Sequence, residues 1–113
     1  MSSKRPSPEE SAVRHVDFRE AKRLLDTLPG CVLLDVREEE EYITGHAVGA
    51  ELLPVDEISA ESASALIPAF NTPVLVYCRS GLRSRRAAEA LAALGYTRLY
   101  DMGGLVGWPY GLE

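Results

Sequence analysis

Residues 74–84 read VLVYCRSGLRS: an apolar run stops at Cys78 and the chain turns polar and basic. That is the composition of an anion cradle. Gly81 frees the backbone to turn inward, so successive amide N–H groups can converge on one point. A helix beginning just beyond would add its positive end and its unpaired first amides. Arg79, Arg83, Arg85 and Arg86 gather positive charge there in a protein whose net charge is −5. Such surroundings favour a thiolate at Cys78, the form of cysteine that acts as a nucleophile. The alternative open to the same residues is a buried cysteine that ends a strand, followed by solvated arginines covering a helix.

Spacing separates two chemistries. A cysteine followed by arginine in the pattern C-x5-R frames a loop wide enough for a tetrahedral phosphate, as in cysteine-dependent phosphatases. Cys78 and Arg83 make the shorter pattern C-x4-R. A tighter ring of amides suits a smaller group on the sulfur, such as one extra sulfur atom. Tyr77 stands where a phosphatase would carry a histidine, and no aspartic acid is evident to protonate a leaving alcohol.

The elements that must position this loop are a strand before it and a helix after it. The 113 residues, 46% hydrophobic and 26% charged, suit one globular domain that buries its core without disulfides or a structural metal. "CVLLDV" and "PVLVYC" are continuous apolar runs of the kind covered on both faces of a sheet. A helix is expected from Asp17, whose spacing to Glu20 resembles a capping box, to Pro29-Gly30. "REEEEYITGH" reads as a short helix stopped by Gly45, "GAELLPVDEI" as a short strand, and "SAESASALIPAF" as helical up to Pro68. A helix over 85–94 ends at Gly95, and "YTRLYDM" closes the alternation as a last strand. Strands alternating with helices predict a mainly parallel sheet with helices on both faces, whose loops at the strands' carboxyl ends gather ligands. Cys78 lies at such an end.

Residues 1–14, rich in Ser, Pro and charge, read as a disordered lead-in, with the domain occupying 15–113. The acidic balance makes nucleic acid and anionic membrane poor partners. No run approaches the ~20 apolar residues of a transmembrane helix, and the first residues lack the apolar segment of a secretory signal. A cytoplasmic protein with free thiols is expected. Cys31, Cys78, His15 and His46 show no ligand spacing, so no metal is expected.

Three stretches, in order and at usual separations, carry a family resemblance: LLDVREEEEYITGHAVGAELLP, VYCRSGLRS and LGYTRLYDMGGLVGW. They resemble the single-domain rhodanese-like sulfurtransferases. The resemblance covers roughly residues 15–113 and implies an α/β, rhodanese-like fold: a central, mainly parallel five-stranded sheet with helices on both faces. It implies a mechanism in which Cys78 takes a sulfane sulfur from thiosulfate or a persulfide, becomes a cysteine persulfide, and passes the sulfur to cyanide or a thiol. Ping-pong kinetics would follow. In that reading the amides of Arg79, Ser80, Gly81, Leu82, Arg83 and Ser84 hold the persulfide, and the Arg79 and Arg83 side chains attract small sulfur-containing anions. A thiol protein could serve as donor or acceptor, and no metal or organic cofactor is implied. A module that carries sulfur or docks on another protein with little turnover is the alternative. Two departures stand out. Ala47 replaces the usual isoleucine after Gly-His, a packing change, and Glu41 stands where two-domain thiosulfate transferases often carry arginine. A Glu41 facing the pocket would repel dianionic donors.

Asp35, Arg37 and His46 could be taken for a catalytic triad, but their family counterparts imply structural support of the loop after the first apolar strand. Asp35 could cap the following helix and Arg37 could pair with acidic neighbours. Cys31 reads as core filler, Glu38–Glu41 as a solvated helix start favoured by the dipole, and Trp108 as an anchor for the C-terminal segment.

Overall fold

In the computed structural model, which describes residues 12–113, the fold begins at the short strand Val13–His15 (β1). That is slightly ahead of the expected start at His15, and most of the lead-in lies outside the described residues. β1 is brief, and Arg14 and His15 are exposed, so it carries no periodicity that sequence reasoning could detect. Helix Phe18–Thr27 (α1) follows, its first turn capped by the Asp17 carboxylate accepting from Glu20 N at 2.8 Å. Only half of the expected box forms, because the Glu20 carboxylate accepts from Arg23 instead.

The remaining elements are Val32–Asp35 (β2), Glu39–Thr44 (α2), Glu51–Leu52 (β3), Ala60–Leu66 (α3), Val74–Cys78 (β4), Leu82–Leu94 (α4) and Leu99–Gly104 (β5), with a 3₁₀ turn at Val55–Glu57. The five strands form one sheet in the order β1-β5-β4-β2-β3, and every pairing is parallel. The two apolar runs are thus neighbours at its centre, Val32 to Asp35 opposite Val74 to Tyr77.

Alternation along β4 assigns its residues to two layers. Val74, Val76 and Cys78 face α3 and α4, packing with Ala63, Ile67, Ala87, Ala88 and Leu91. Leu75 and Tyr77 face the other way, with Ala21 of α1, Tyr42 of α2, Met102 and Leu105. Helices therefore cover both faces, which explains why β4 is buried along its whole length.

Pairing between β4 and β5 slips beside Cys78. Val76 stands opposite Asp101, but Cys78 stands opposite Gly104, so β5 carries an extra residue there. Bulges re-aim the chain next to functional sites. Here Gly103 adopts φ +79°, and its amide donates to the Asp101 carboxylate at 2.8 Å. The bulge lays the Gly104 backbone against that of Arg79. A Cβ at Gly104 would sit 2.3 Å from the Arg79 carbonyl oxygen, so only glycine fits without displacement.

Candidate active site

Cys78 ends β4 and its side chain is fully buried, with 0% exposure. The thiol is nevertheless engaged: Gly81 N donates to Sγ at 2.8 Å. This bond requires the chain to reverse within three residues, which Gly81 allows at φ +105°. Gly81 is also the residue from which α4 starts, so the helix begins three residues before the expected Arg85. Leu82, Arg83 and Ser84 form its first turn, whose amides lack intrahelical acceptors. Buried Ser84 donates its hydroxyl to the Gly81 carbonyl at 3.1 Å and Arg85 N reaches the same oxygen, fixing the turn. Leu105 N donates to the Cys78 carbonyl at 2.8 Å, tying the loop base to the segment after β5. Arg79 and Ser80 are exposed at the loop's outer side, and Leu82 projects into solvent.

The expected concentration of free positive charge is not what the structure holds. Arg83 forms a forked pair with Glu41, Nη1 to Oε1 at 2.6 Å and Nη2 to Oε2 at 3.0 Å. Arg85 approaches Glu89 and Arg86 approaches Asp56. Of the four arginines, Arg79 alone has no carboxylate partner among the described residues. Glu41 is held for this role by the Glu38 amide, which donates to its Oε1 at 2.9 Å. The hydrogen bonds from Arg83 outweigh partial burial and hold the Glu41 pKa down at about 2. Glu41 does face a pocket. A cavity of about 400 Å³ beside the loop is lined by Arg37, Glu41 and Arg79 on its polar side and by Leu105, Val106 and Trp108 among its apolar walls.

The profile of the Rhodanese-like domain matches residues 17–109. The chain belongs to the rhodanese-like family. It is 40% identical over 72 residues to Thiosulfate sulfurtransferase PspE of Escherichia coli (strain K12), a match covering 64% of this chain and 68% of that protein. It is 35% identical over 91 residues to the Probable adenylyltransferase/sulfurtransferase MoeZ of Mycobacterium tuberculosis (strain CDC 1551 / Oshkosh), covering 80% of this chain but only 23% of that longer protein. Among solved structures, "rhodanese with anions from E. coli" superimposes with a TM-score of 0.68 at 34% identity, over 74% of this chain and 96% of that one. The five-stranded parallel sheet with helices on both faces is the fold these neighbours share.

Around the rhodanese-like loop the structure gathers a buried polar group that the sequence only half announces. Asp35 and Arg37 meet: Arg37 Nε and Nη2 donate to the Asp35 carboxylate, Nη2 to Oδ2 at 2.7 Å, and Arg37 N donates to Oδ1 at 3.0 Å. Asp35 therefore does not cap α2, which starts from Glu38. Arg37 also donates to the Gly45 carbonyl at 2.7 Å, which bridges the two ends of the α2 segment. The unanticipated member is Tyr77. Its hydroxyl donates to Asp35 Oδ2 at 2.6 Å and accepts from Ala47 N at 3.0 Å, and burial with this carboxylate pushes its pKa well up. A phenol inside a strand covered on both faces must find such partners, and that was the available signal. His46 lies apart from the trio: its ring stacks on Tyr42 at 3.7 Å, Nδ1 meets the Tyr42 carbonyl, and its backbone pairs with Glu113.

Trp108 packs edge-on against Phe18 and Tyr110, with centroids 5.3 and 5.0 Å away, and so pins the segment that walls the pocket. Cys31 and Cys78 are both free thiols on opposite sides of the sheet. Burial raises the Cys31 pKa, the opposite of an activated nucleophile. No described helix is long and apolar enough to cross a membrane, and no described cluster of His, Cys, Asp or Glu could hold a metal ion.

Proposed function

We propose that this chain is a sulfurtransferase that moves a sulfane sulfur through a persulfide on Cys78. The carrying observation is the hydrogen bond from Gly81 N to Cys78 Sγ inside a six-residue loop of a rhodanese-like domain. A cysteine that merely fills the end of a strand needs no such donor. The likeness to PspE, named a thiosulfate sulfurtransferase, supports the same reading.

In the first half-reaction the Cys78 thiolate attacks the terminal sulfur of a donor. With thiosulfate, the S–S bond of the donor breaks, the new Cys78–S bond forms, and sulfite leaves with the electron pair. With a persulfide, a thiolate leaves. In the second half-reaction an acceptor thiolate or cyanide takes the outer sulfur and returns Cys78 to its thiolate. The Gly81 amide and the first-turn amides of α4 supply fixed dipoles for the sulfur anion, and Arg79 supplies a formal charge beside it. Because Cys78 exposes no surface, the loop above it has to yield for the donor's terminal sulfur to arrive.

Intact-mass measurement after incubation with thiosulfate or an organic persulfide tests the reading. A one-sulfur adduct is expected, removed by cyanide and absent from Cys78→Ala, whose melting temperature stays close to that of the parent. No adduct with any donor sinks the proposal. One observation favours a second reading, a sulfur-carrying or docking module with little turnover: apolar Leu82 and Val106, 73% and 79% exposed, flank the loop as a protein partner would require. A persulfide that forms but is not discharged to small acceptors would select that reading.

A further inference from the structure

We infer that the Glu41–Arg83 pair sets the charge of the donor: the site takes a sulfane-sulfur donor with one negative charge and an apolar organic group, in preference to the thiosulfate dianion. This rests on the sulfurtransferase reading and names its substrate class.

The argument is a count of charges and a description of walls. Arg37 lines the pocket, but its guanidinium is spent on buried Asp35 and the Gly45 carbonyl. Arg83, the loop arginine expected from the sequence to attract an anion, is forked onto Glu41 instead. Glu41 is oriented for this by the Glu38 amide, so the pair is built rather than a chance surface contact. Each pair is neutral as a whole, and Arg79 is left as the pocket's cation without a carboxylate partner among the described residues. One such charge balances one donor charge. A second donor charge would have to lie near the Glu41 carboxylate, which lines the same cavity.

The walls point the same way. Leu105, Val106 and Trp108 form much of a cavity of about 400 Å³, within the range of sites that hold small organic molecules. A compact inorganic dianion would leave those walls facing water, whereas an organic group would cover them. Organic thiosulfonates and organic persulfides share the required chemistry. For a thiosulfonate, R–SO₂–S⁻ and the Cys78 thiolate give the Cys78 persulfide anion and the sulfinate R–SO₂⁻. The S–S bond of the donor breaks with its electron pair going to the sulfinate, and no redox partner is needed.

Three donors separate charge from contact: thiosulfate, methanethiosulfonate, which lacks one charge and has almost no body, and benzenethiosulfonate, which has the same charge and an apolar body. Hydroxyethyl persulfide, also singly charged, tests the persulfide source in parallel. The readout is the second-order rate of Cys78 persulfide formation by intact mass. Methanethiosulfonate and hydroxyethyl persulfide are expected to exceed thiosulfate by about tenfold or more, and benzenethiosulfonate to exceed methanethiosulfonate. In Glu41→Gln the thiosulfate rate should rise on the order of fivefold relative to the methanethiosulfonate rate, because each donor charge gains from the missing carboxylate. The inference is overturned if thiosulfate matches the singly charged donors in the parent protein, or if Glu41→Gln moves all rates by one factor; in either case the sulfurtransferase reading stands. A protein that no donor modifies takes both down.

Discussion

Gly104 offers the sharpest test of how the fold places the loop. Its φ lies outside the left-handed region, so alanine there brings no conformational strain of its own. The added Cβ would meet only backbone: the Arg79 carbonyl oxygen at 2.3 Å, its carbon at 3.1 Å and Ser80 Cα at 3.3 Å. Ordinary carbon-to-oxygen contact lies near ~3.3 Å, so the Arg79–Ser80 backbone must retreat by about 1 Å. Gly81 N sits one residue further on and holds Cys78 Sγ at 2.8 Å, a bond that does not survive a shift of that size unchanged. Overpacking of this kind costs about 1–3 kcal/mol of stability, and a misplacement of ~1 Å can cost about a hundredfold in rate. Gly103→Ala is the control: it stands at φ +79° with nothing within 4 Å of the new Cβ, so it pays roughly 1–2 kcal/mol of left-handed strain without pushing the loop. Urea unfolding should show both variants destabilised to a similar extent. The Gly81 amide resonance and the rate of persulfide formation should change in Gly104→Ala far more than in Gly103→Ala. If the Gly81 resonance stays in place and the rate falls by less than about threefold in Gly104→Ala, the close approach does not set the loop.

Tyr77→Phe deletes a hydroxyl that donates to buried Asp35 and accepts from the buried Ala47 amide, leaving both short of a partner. The loss should be about 3 kcal/mol by urea denaturation, and a value under ~1 kcal/mol would mean that the group is satisfied otherwise. Arg83→Ala uncovers the Glu41 carboxylate at the pocket, so thiosulfate use should fall more than methanethiosulfonate use, and more at low salt than at high salt. Equal losses on both donors would count against the charge account. Glu41 makes a pH test of the same pair. Its pKa is depressed from 4.5 to about 2, so the pair's stability is fully present above pH 4.5 and is lost as pH falls toward 2. The full interval corresponds to about 3 kcal/mol, but partners that are 28% and 27% exposed are screened, and about 1 kcal/mol is expected. The stability gap between the parent and Glu41→Gln should therefore close between pH 4.5 and 2, and a gap that persists at pH 2 would exclude the ion pair as its source.

The parts of the fold that sequence reveals are those in which one physical signal dominates. Val32–Asp35 and Val74–Cys78 are apolar without interruption because both faces of the sheet are covered, and such runs are visible in any reading. Gly95 ends α4 and Asp17 starts α1 through local chemistry that a few residues carry by themselves. β1 had no such signal. Its three residues owe their strand conformation to pairing with Leu99, Tyr100 and Asp101, far along the chain. α4 starts three residues ahead of the expected Arg85 for a related reason: Leu82, Arg83 and Ser84 carry no apolar period, and what makes them helical is the left-handed Gly81 and the Ser84 hydroxyl bond beneath it.

The site divides along the same line. Cys78, Gly81 and the loop between them are contiguous, so the reversal that brings Gly81 N onto Cys78 Sγ is prepared by neighbouring residues. What packs around the loop is decided by residues 42 positions away: Glu41 on Arg83, and Asp35 on Tyr77. Four arginines in a row of eight suggest a strongly positive mouth, yet topology gives Arg83 and Arg86 an acidic partner each, and Arg85 finds Glu89 one turn along its own helix. At Arg83 the local charge is a property of the folded pairing with Glu41, not of the neighbouring sequence. A cysteine loop that retains every residue expected of it can thus be tuned from outside, by a helix that never touches the sulfur. Glu41, sitting in the first turn of α2 with its carboxylate fixed by the Glu38 amide, is the position at which a single substitution would change the electrostatics beside the loop while leaving Cys78 in place.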